Sequence, residues 1–198
     1  MNRPKIRVLL SAILMISAVV LSGCQTTPEE EKVVVEKTYI PGDTGPAGGL
    51  VFYDKGEYSD GWRYLELAPP ETELSLQWGS YGSVIGGTST AIGEGKQNTQ
   101  KIAQIIRELE MRPQAATYCD ELTIGEYDDW FLPSLDELDL VFWELAQKDL
   151  GELQKEGFGY WSSSEFDENF AWGQGFTEGV TGKIEKTELF LVRAVRAF

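Results

Sequence analysis

The stretch "WFLPSLDELDLVFWELAQ", residues 130–147, constrains the fold more than any other part of this sequence, because it sets both the start of a helix and its buried side. Ser134 followed by Glu137 is the pattern of a capping box, in which serine oxygen and glutamate carboxylate each accept from an orphan backbone N–H. Asp136 adds negative charge to the first turn, where the helix dipole favours it. Leu138, Val141, Phe142 and Leu145 then recur at helical spacing and face inward. Asp136, Glu137 and Asp139 are accordingly read as helix-start residues and not as a metal cluster.

Two shorter helices are expected before it. Asn98 or Thr99 caps one that reaches about Glu110, with Ile102, Ile105, Ile106 and Leu109 forming an apolar face. Pro113 can open the other, "PQAATYCDEL", which sets Ala115, Ala116, Cys119 and Leu122 on one side and makes Cys119 a small core residue instead of a nucleophile. Strand patterns flank this helical middle. "LVFYDKG" and "WRYLELA" read as a hairpin around "GEYSDG", while "FGYWSSSE", "NFAWGQGF" and "LFLVRAVRAF" fill the C-terminal third. Arg193 and Arg196, three apart, are expected on opposite faces of the last strand, one internal with a carboxylate partner and the other exposed. Helices in the middle and strands at both ends predict an α+β domain.

Glycine-rich segments punctuate the pattern. In "PGDTGPAGG" glycines stand at 42, 45 and 48, but the collagen register fails at Tyr39 and Val51, so the segment reads as turns delivering the hairpin. "GSYGSVIGGTSTAIGEG", residues 79–95, is a loop long enough to be functional or packed as an omega loop. It is no Walker phosphate loop, since Thr90 and Gln97 stand where glycine and a hydroxyl residue are required.

The chain has no histidine, which removes Ser-His-Asp and Cys-His catalysis and the usual zinc ligands. No metal and no cofactor is expected. Its first residues, "MNRPKIR", are basic, and the apolar run that follows is too short to span a bilayer comfortably. The run ends in "LSGC", which resembles the lipobox of bacterial lipoproteins: residues 1–23 are then a signal peptide, and Cys24 carries acyl lipid that anchors the chain to membrane. Residues 24–39, "QTTPEEEKVVVEKTY" within them, read as a tether, or alternatively "KVVVEKTYI" pairs as an edge strand. The folded domain is residues 40–198. With Cys24 lipidated, Cys119 is the remaining thiol, so no intrachain disulfide can form. The net charge of −15 falls by three more once Arg3, Lys5 and Arg7 are removed, a balance that repels nucleic acid and sulfated glycans.

The ordered set "GDTGPAGGLVFYDKG", "TAIGEGKQNTQKI", "AATYCDEL", "DDWFLPSLDEL", "YWSSSE", "AWGQGF" and "VRAVRAF" resembles the bacterial domain of unknown function also found as the C-terminal domain of the Legionella collagen-like protein. The similarity spans about residues 40–198. That family is related to the C-type-lectin-like fold and the formylglycine-generating-enzyme group. The resemblance implies a C-type-lectin-like α+β domain, two or three helices packed on a small, mostly antiparallel sheet. Ligands do not transfer with the fold. Binding of sulfated glycosaminoglycans needs a basic surface, the calcium-lectin Glu-Pro-Asn and Trp-Asn-Asp sets are missing, and Cys119 alone cannot reproduce paired-cysteine chemistry.

These observations point to an envelope protein that is not an enzyme, lipid-anchored and by its Gln25 directed to the outer membrane, acting as a binding or adhesion module for a glycan or protein. The expected ligand face is the loops around 79–95 and 165–172. There Tyr81, Phe166 and Trp172 could stack on a sugar, with Trp172 equally readable as core, and Glu165, Asp167 and Asn169 could offer oxygens. The alternatives are a structural envelope lipoprotein without a small ligand, or a hydrolase working through paired carboxylates.

Overall fold

Ser134 caps its helix as the sequence demands: its Oγ accepts from the Glu137 N–H at 3.2 Å, and Glu137 Oε2 accepts from the Ser134 N–H at 2.8 Å. The helix so started, α3, runs Leu135–Glu144 with Leu138, Val141 and Phe142 buried. The computed structural model containing it describes residues 37–157 and 159–198. The signal peptide, Cys24 and the tether as far as Glu36 lie outside the described residues.

The remaining helices are α1 (Gly95–Glu108) and α2 (Ala115–Glu121). Strands β1 (Leu50–Ser59), β2 (Trp62–Leu67) and β3 (Leu74–Leu76) precede them. After α3 come β4 (Gly159–Glu165), β5 (Phe170–Gly175), β6 (Val180–Glu185), β7 (Phe190–Val192) and β8 (Val195–Ala197). Two sheets result, one ordered β1-β2-β8 and the other β3-β7-β4-β5-β6. Every pairing is antiparallel except β4 with β7. The domain is therefore α+β, with three helices and two mostly antiparallel sheets.

Strand β4 divides the core because alternate side chains leave opposite faces of a strand. Trp161 joins a cluster with Trp78, Ile102, Ile106, Ala116, Cys119 and Trp130, which α1 and α2 cover. Tyr160 points the other way, into Phe52, Leu65, Val141, Phe142 and Phe176, which α3 covers. Burial pushes the Cys119 thiol far above its ordinary range, as expected of a core residue.

The glycine segment before β1 is explained by close approach. A Cβ at Gly45 would stand 2.1 Å from Glu66 Oε2, and one at Gly49 would stand 2.1 Å from the Leu67 carbonyl, so the chain can lie against β2 only without side chains there. At the far end of the tether, Tyr39 donates its N–H to Tyr64 Oη at 3.3 Å and sets its ring edge-on to Tyr64 and Phe198. Among the described residues of the tether there is no strand.

Four expectations are corrected. Helix α1 starts at Gly95, so Asn98 and Thr99 sit buried inside it and do not cap it. It ends at Glu108, which leaves Leu109 exposed. Strand β1 runs through "GEYS", and the hairpin turns at Asp60 and Gly61. Arg193 and Arg196 are both internal, because the chain leaves one sheet after β7 and joins the other at β8. Arg193 pairs with Glu73 at 2.9 Å, and Arg196 with Glu66 at 2.9 Å and also with Asp129.

Candidate functional site

Between Gln77 and Glu94 the chain forms no helix and no strand, yet it is held at many points. Glu165, the last residue of β4, accepts from the Ile85 N–H through Oε1 at 2.8 Å and from the Gly86 N–H through Oε2 at 2.7 Å. The Glu165 N–H in turn donates to Thr88 Oγ1 at 2.9 Å. Asn98 donates to the Ser89 carbonyl at 2.7 Å and accepts from its N–H at 3.0 Å, and Ser164 Oγ donates to the same carbonyl at 2.9 Å. At the loop's end the Gly93 N–H donates to Glu137 Oε1 at 2.8 Å. Burial raises the Glu137 carboxyl to about 7, with the backbone donors pulling partly against it. The loop is thus tied to the body at several points along its length.

The turn between β4 and β5 sits beside it, with the Gly82 N–H donating to the Glu168 carbonyl at 2.9 Å. Asp167 Oδ1 shapes this turn by accepting from the Asn169 and Phe170 N–H groups, both at 2.8 Å. Behind it lies Lys186, fully buried, its Nζ 2.7 Å from Glu165 Oε1. Thus Glu165, whose side chain is 5% exposed, does not present an open oxygen on the ligand face, which corrects its place among the expected contacts. Asp167 and Asn169 serve the turn, Asn169 through a carbonyl that accepts from the Lys186 N–H at 2.9 Å. Among the described residues no group of three or more Asp, Glu or Cys side chains is arranged to hold a metal ion.

Among the side chains the arrangement leaves outward are two aromatics, in addition to Val84 and Ile92. Tyr81 is 53% exposed and Phe166 42%. Trp172 is half-buried and stands edge-on to Phe166, ring centroids 5.5 Å apart. Lys183, the register partner of Trp172 across β5 and β6, places its Nζ 3.5 Å from the Phe166 ring centroid and 5.9 Å from that of Trp172. The structure so brings Phe166 and Trp172 into one patch with a cation that sequence reasoning missed. Strand β6 was not anticipated from "VTGKIE", and only its pairing register reveals Lys183 beside Trp172.

Elsewhere, a cleft of about 330 Å³ between β2 and the start of α1 is lined by Trp62, Lys96, Gln97, Gln100, Phe131 and Glu137. The carboxylates turned inward have partners: Glu66 pairs with Arg196 through Oε1 while its buried Oε2 accepts no hydrogen bond, Glu73 holds Arg193 and the Tyr160 hydroxyl, Glu165 holds Lys186, and Glu137 holds backbone amides. Among the described residues no helix is long and apolar enough to cross a membrane.

No family model and no curated protein matches the sequence. Among solved structures, a fimbrial protein from Bacteroides ovatus ATCC 8483 is similar with a TM-score of 0.49 at 13% identity, over 69% of this chain. The match covers 36% of that protein, so this chain spans well under two thirds of its length.

Proposed function

We propose that this is a lipid-anchored protein of the bacterial envelope, directed to the outer membrane through acylated Cys24, whose C-type-lectin-like domain binds a glycan or protein ligand without catalysing a reaction. The sequence resemblance to the C-terminal domain of the Legionella collagen-like protein supports the lectin-like reading. The observation that carries the binding reading is the patch formed by exposed Phe166 on an immobilised turn, half-buried Trp172 on β5 and Lys183 on β6. A sugar ring stacks on an aromatic face, and an adjacent ammonium supplies a donor to a hydroxyl or carboxylate. Because the turn and the neighbouring loop are held by internal hydrogen bonds, little ordering entropy opposes capture. Tyr81 is a further exposed aromatic, on the neighbouring loop.

The test is binding of the purified protein to glycan arrays and to envelope and host surface proteins, compared with Phe166→Ala, Trp172→Ala and Lys183→Ala. Loss of affinity on the order of tenfold or more in these variants is expected, as for centrally placed aromatic contacts. Binding that is indifferent to all three changes, or no binding to any partner, refutes the reading. Mass spectrometry of the mature N-terminus tests the anchor separately, with diacylglycerol on Cys24 as the expected result.

A further inference from the structure

Lys186 ties three parts of the loop face together. Its Nζ donates to Glu165 Oε1 at 2.7 Å, to the Ser83 carbonyl at 3.1 Å and to the Glu168 carbonyl at 3.2 Å. These three acceptors come from the end of β4, the 77–94 loop and the β4–β5 turn, and they use all three N–H bonds of an ammonium. Beneath it the Trp78 ring lies with its centroid 4.8 Å away, so an aromatic face supplies further stabilisation of the charge. The backbone of Lys186 adds to the same junction, its N–H donating to the Asn169 carbonyl at 2.9 Å and its carbonyl accepting from Trp78 at 3.1 Å.

One carboxylate and two backbone carbonyls converging from separate loops are the donor types that hard divalent cations take in loop-rich domains. Here the distances of 2.7–3.2 Å suit an N–H donor and exceed the 2.3–2.6 Å of calcium ligation. Glu165 passes the charge on: Oε1 receives Lys186 and the Ile85 amide together, while Oε2 receives the Gly86 amide. With side chains 0% and 5% exposed, neither partner can be removed without leaving a buried charge uncompensated.

We propose that Lys186 is the resident cation of this face: its ammonium orders the 77–94 loop against the β4–β5 turn as a bound metal would, so that the loop, and any ligand the face captures, is independent of calcium. The statement about ligand capture rests on the binding reading above; the statement about loop order does not.

Hydrogen exchange of the Ile85 and Gly86 amides in the purified full-length protein tests it directly. In the wild type, neither chelator nor millimolar calcium should change their exchange. In Lys186→Met both amides should exchange faster, on the order of a hundredfold, while the Gly173 amide within β5 keeps its protection. Should that variant fail to fold, Glu165→Gln/Lys186→Met, which buries no lone charge, should fold and show the same selective loss. Calcium that slows exchange of Ile85 and Gly86 tenfold in the wild type overturns the proposal. So does unchanged protection at both amides in whichever of the two variants folds, or a double variant that also fails to fold. If the exchange results hold but ligand binding is never found, the binding reading fails and the resident cation stands.

Discussion

Replacing Gly45 by alanine should be among the most damaging single-methyl additions to this domain. The φ of Gly45 is not in the left-handed region, so its backbone is open to any residue, and the whole effect is steric. The new Cβ would sit 2.1 Å from Glu66 Oε2 and 3.2 Å from Glu66 Cβ. Glu66 cannot swing away without loss, since it is 0% exposed and its other oxygen is held by Arg196 Nη1 at 2.9 Å and the Ala47 N–H at 3.3 Å. Overpacking alone costs about 1–3 kcal/mol. Displacing the carboxylate also breaks a buried ion pair, which costs about 3–5 kcal/mol. The two overlap, because moving the carboxylate relieves the clash, so the expected total is on the order of 3–5 kcal/mol. For a domain of this size that is a fall in Tm of roughly 10 °C, readable by calorimetry or urea unfolding. In a double-mutant cycle, Gly45→Ala and Glu66→Ala should be strongly non-additive, with coupling of about 2 kcal/mol, since each breaks the same pair. A Gly45→Ala protein within 1 kcal/mol of wild type, or simple additivity, refutes the reasoning.

Three further outcomes are expected. Ser134→Ala removes the acceptor for the Glu137 N–H and should lower stability by about 1 kcal/mol in denaturant unfolding, whereas Ser134→Asp should retain most of the cap. Glu137 has its carboxyl raised from 4.5 to about 7, so its contribution is fully present below the unfolded value and is lost as pH rises through about 7. Between pH 4.5 and 7 this should remove up to roughly 3 kcal/mol, and unfolding of Glu137→Gln should show a flatter slope over that window, with Glu66 and Asp136, also raised by burial, supplying the slope that remains. Cys119 is fully buried with its thiol pushed upward, so it should resist a thiol reagent in the native protein at pH 8 and react at once in urea.

How much of this was legible depended on whether the signal was local. The capping box of α3 was, because Ser134 and Glu137 satisfy each other within one turn. The start of α1 was not, because Asn98 and Thr99 look like caps but are engaged elsewhere. The Asn98 amide serves Ser89 and Ser163, while the Thr99 hydroxyl serves Leu132, 33 residues away. Alternation along "VRAVR" assumed one continuous strand, and the switch of sheets between β7 and β8 defeated it. For the site, Phe166 and Trp172 could be named from residue type, whereas Lys183 beside them could not, because β6 meets β5 only in the folded sheet. Glu165 was misread as an open oxygen because its partner, Lys186, lies 21 residues on and beyond an unanticipated strand.

By itself the sequence determined the α+β class, the face that α3 buries, the core position of Cys119 and the absence of imidazole chemistry. Each of these follows from residue type or from spacings within a few turns. Only the tertiary structure decided which charges are internal, which glycines are compelled by contact, and which cation sits beside the exposed aromatics. Those outcomes depend on pairings between distant segments, where distance and register are fixed by packing and leave no mark in local spacing.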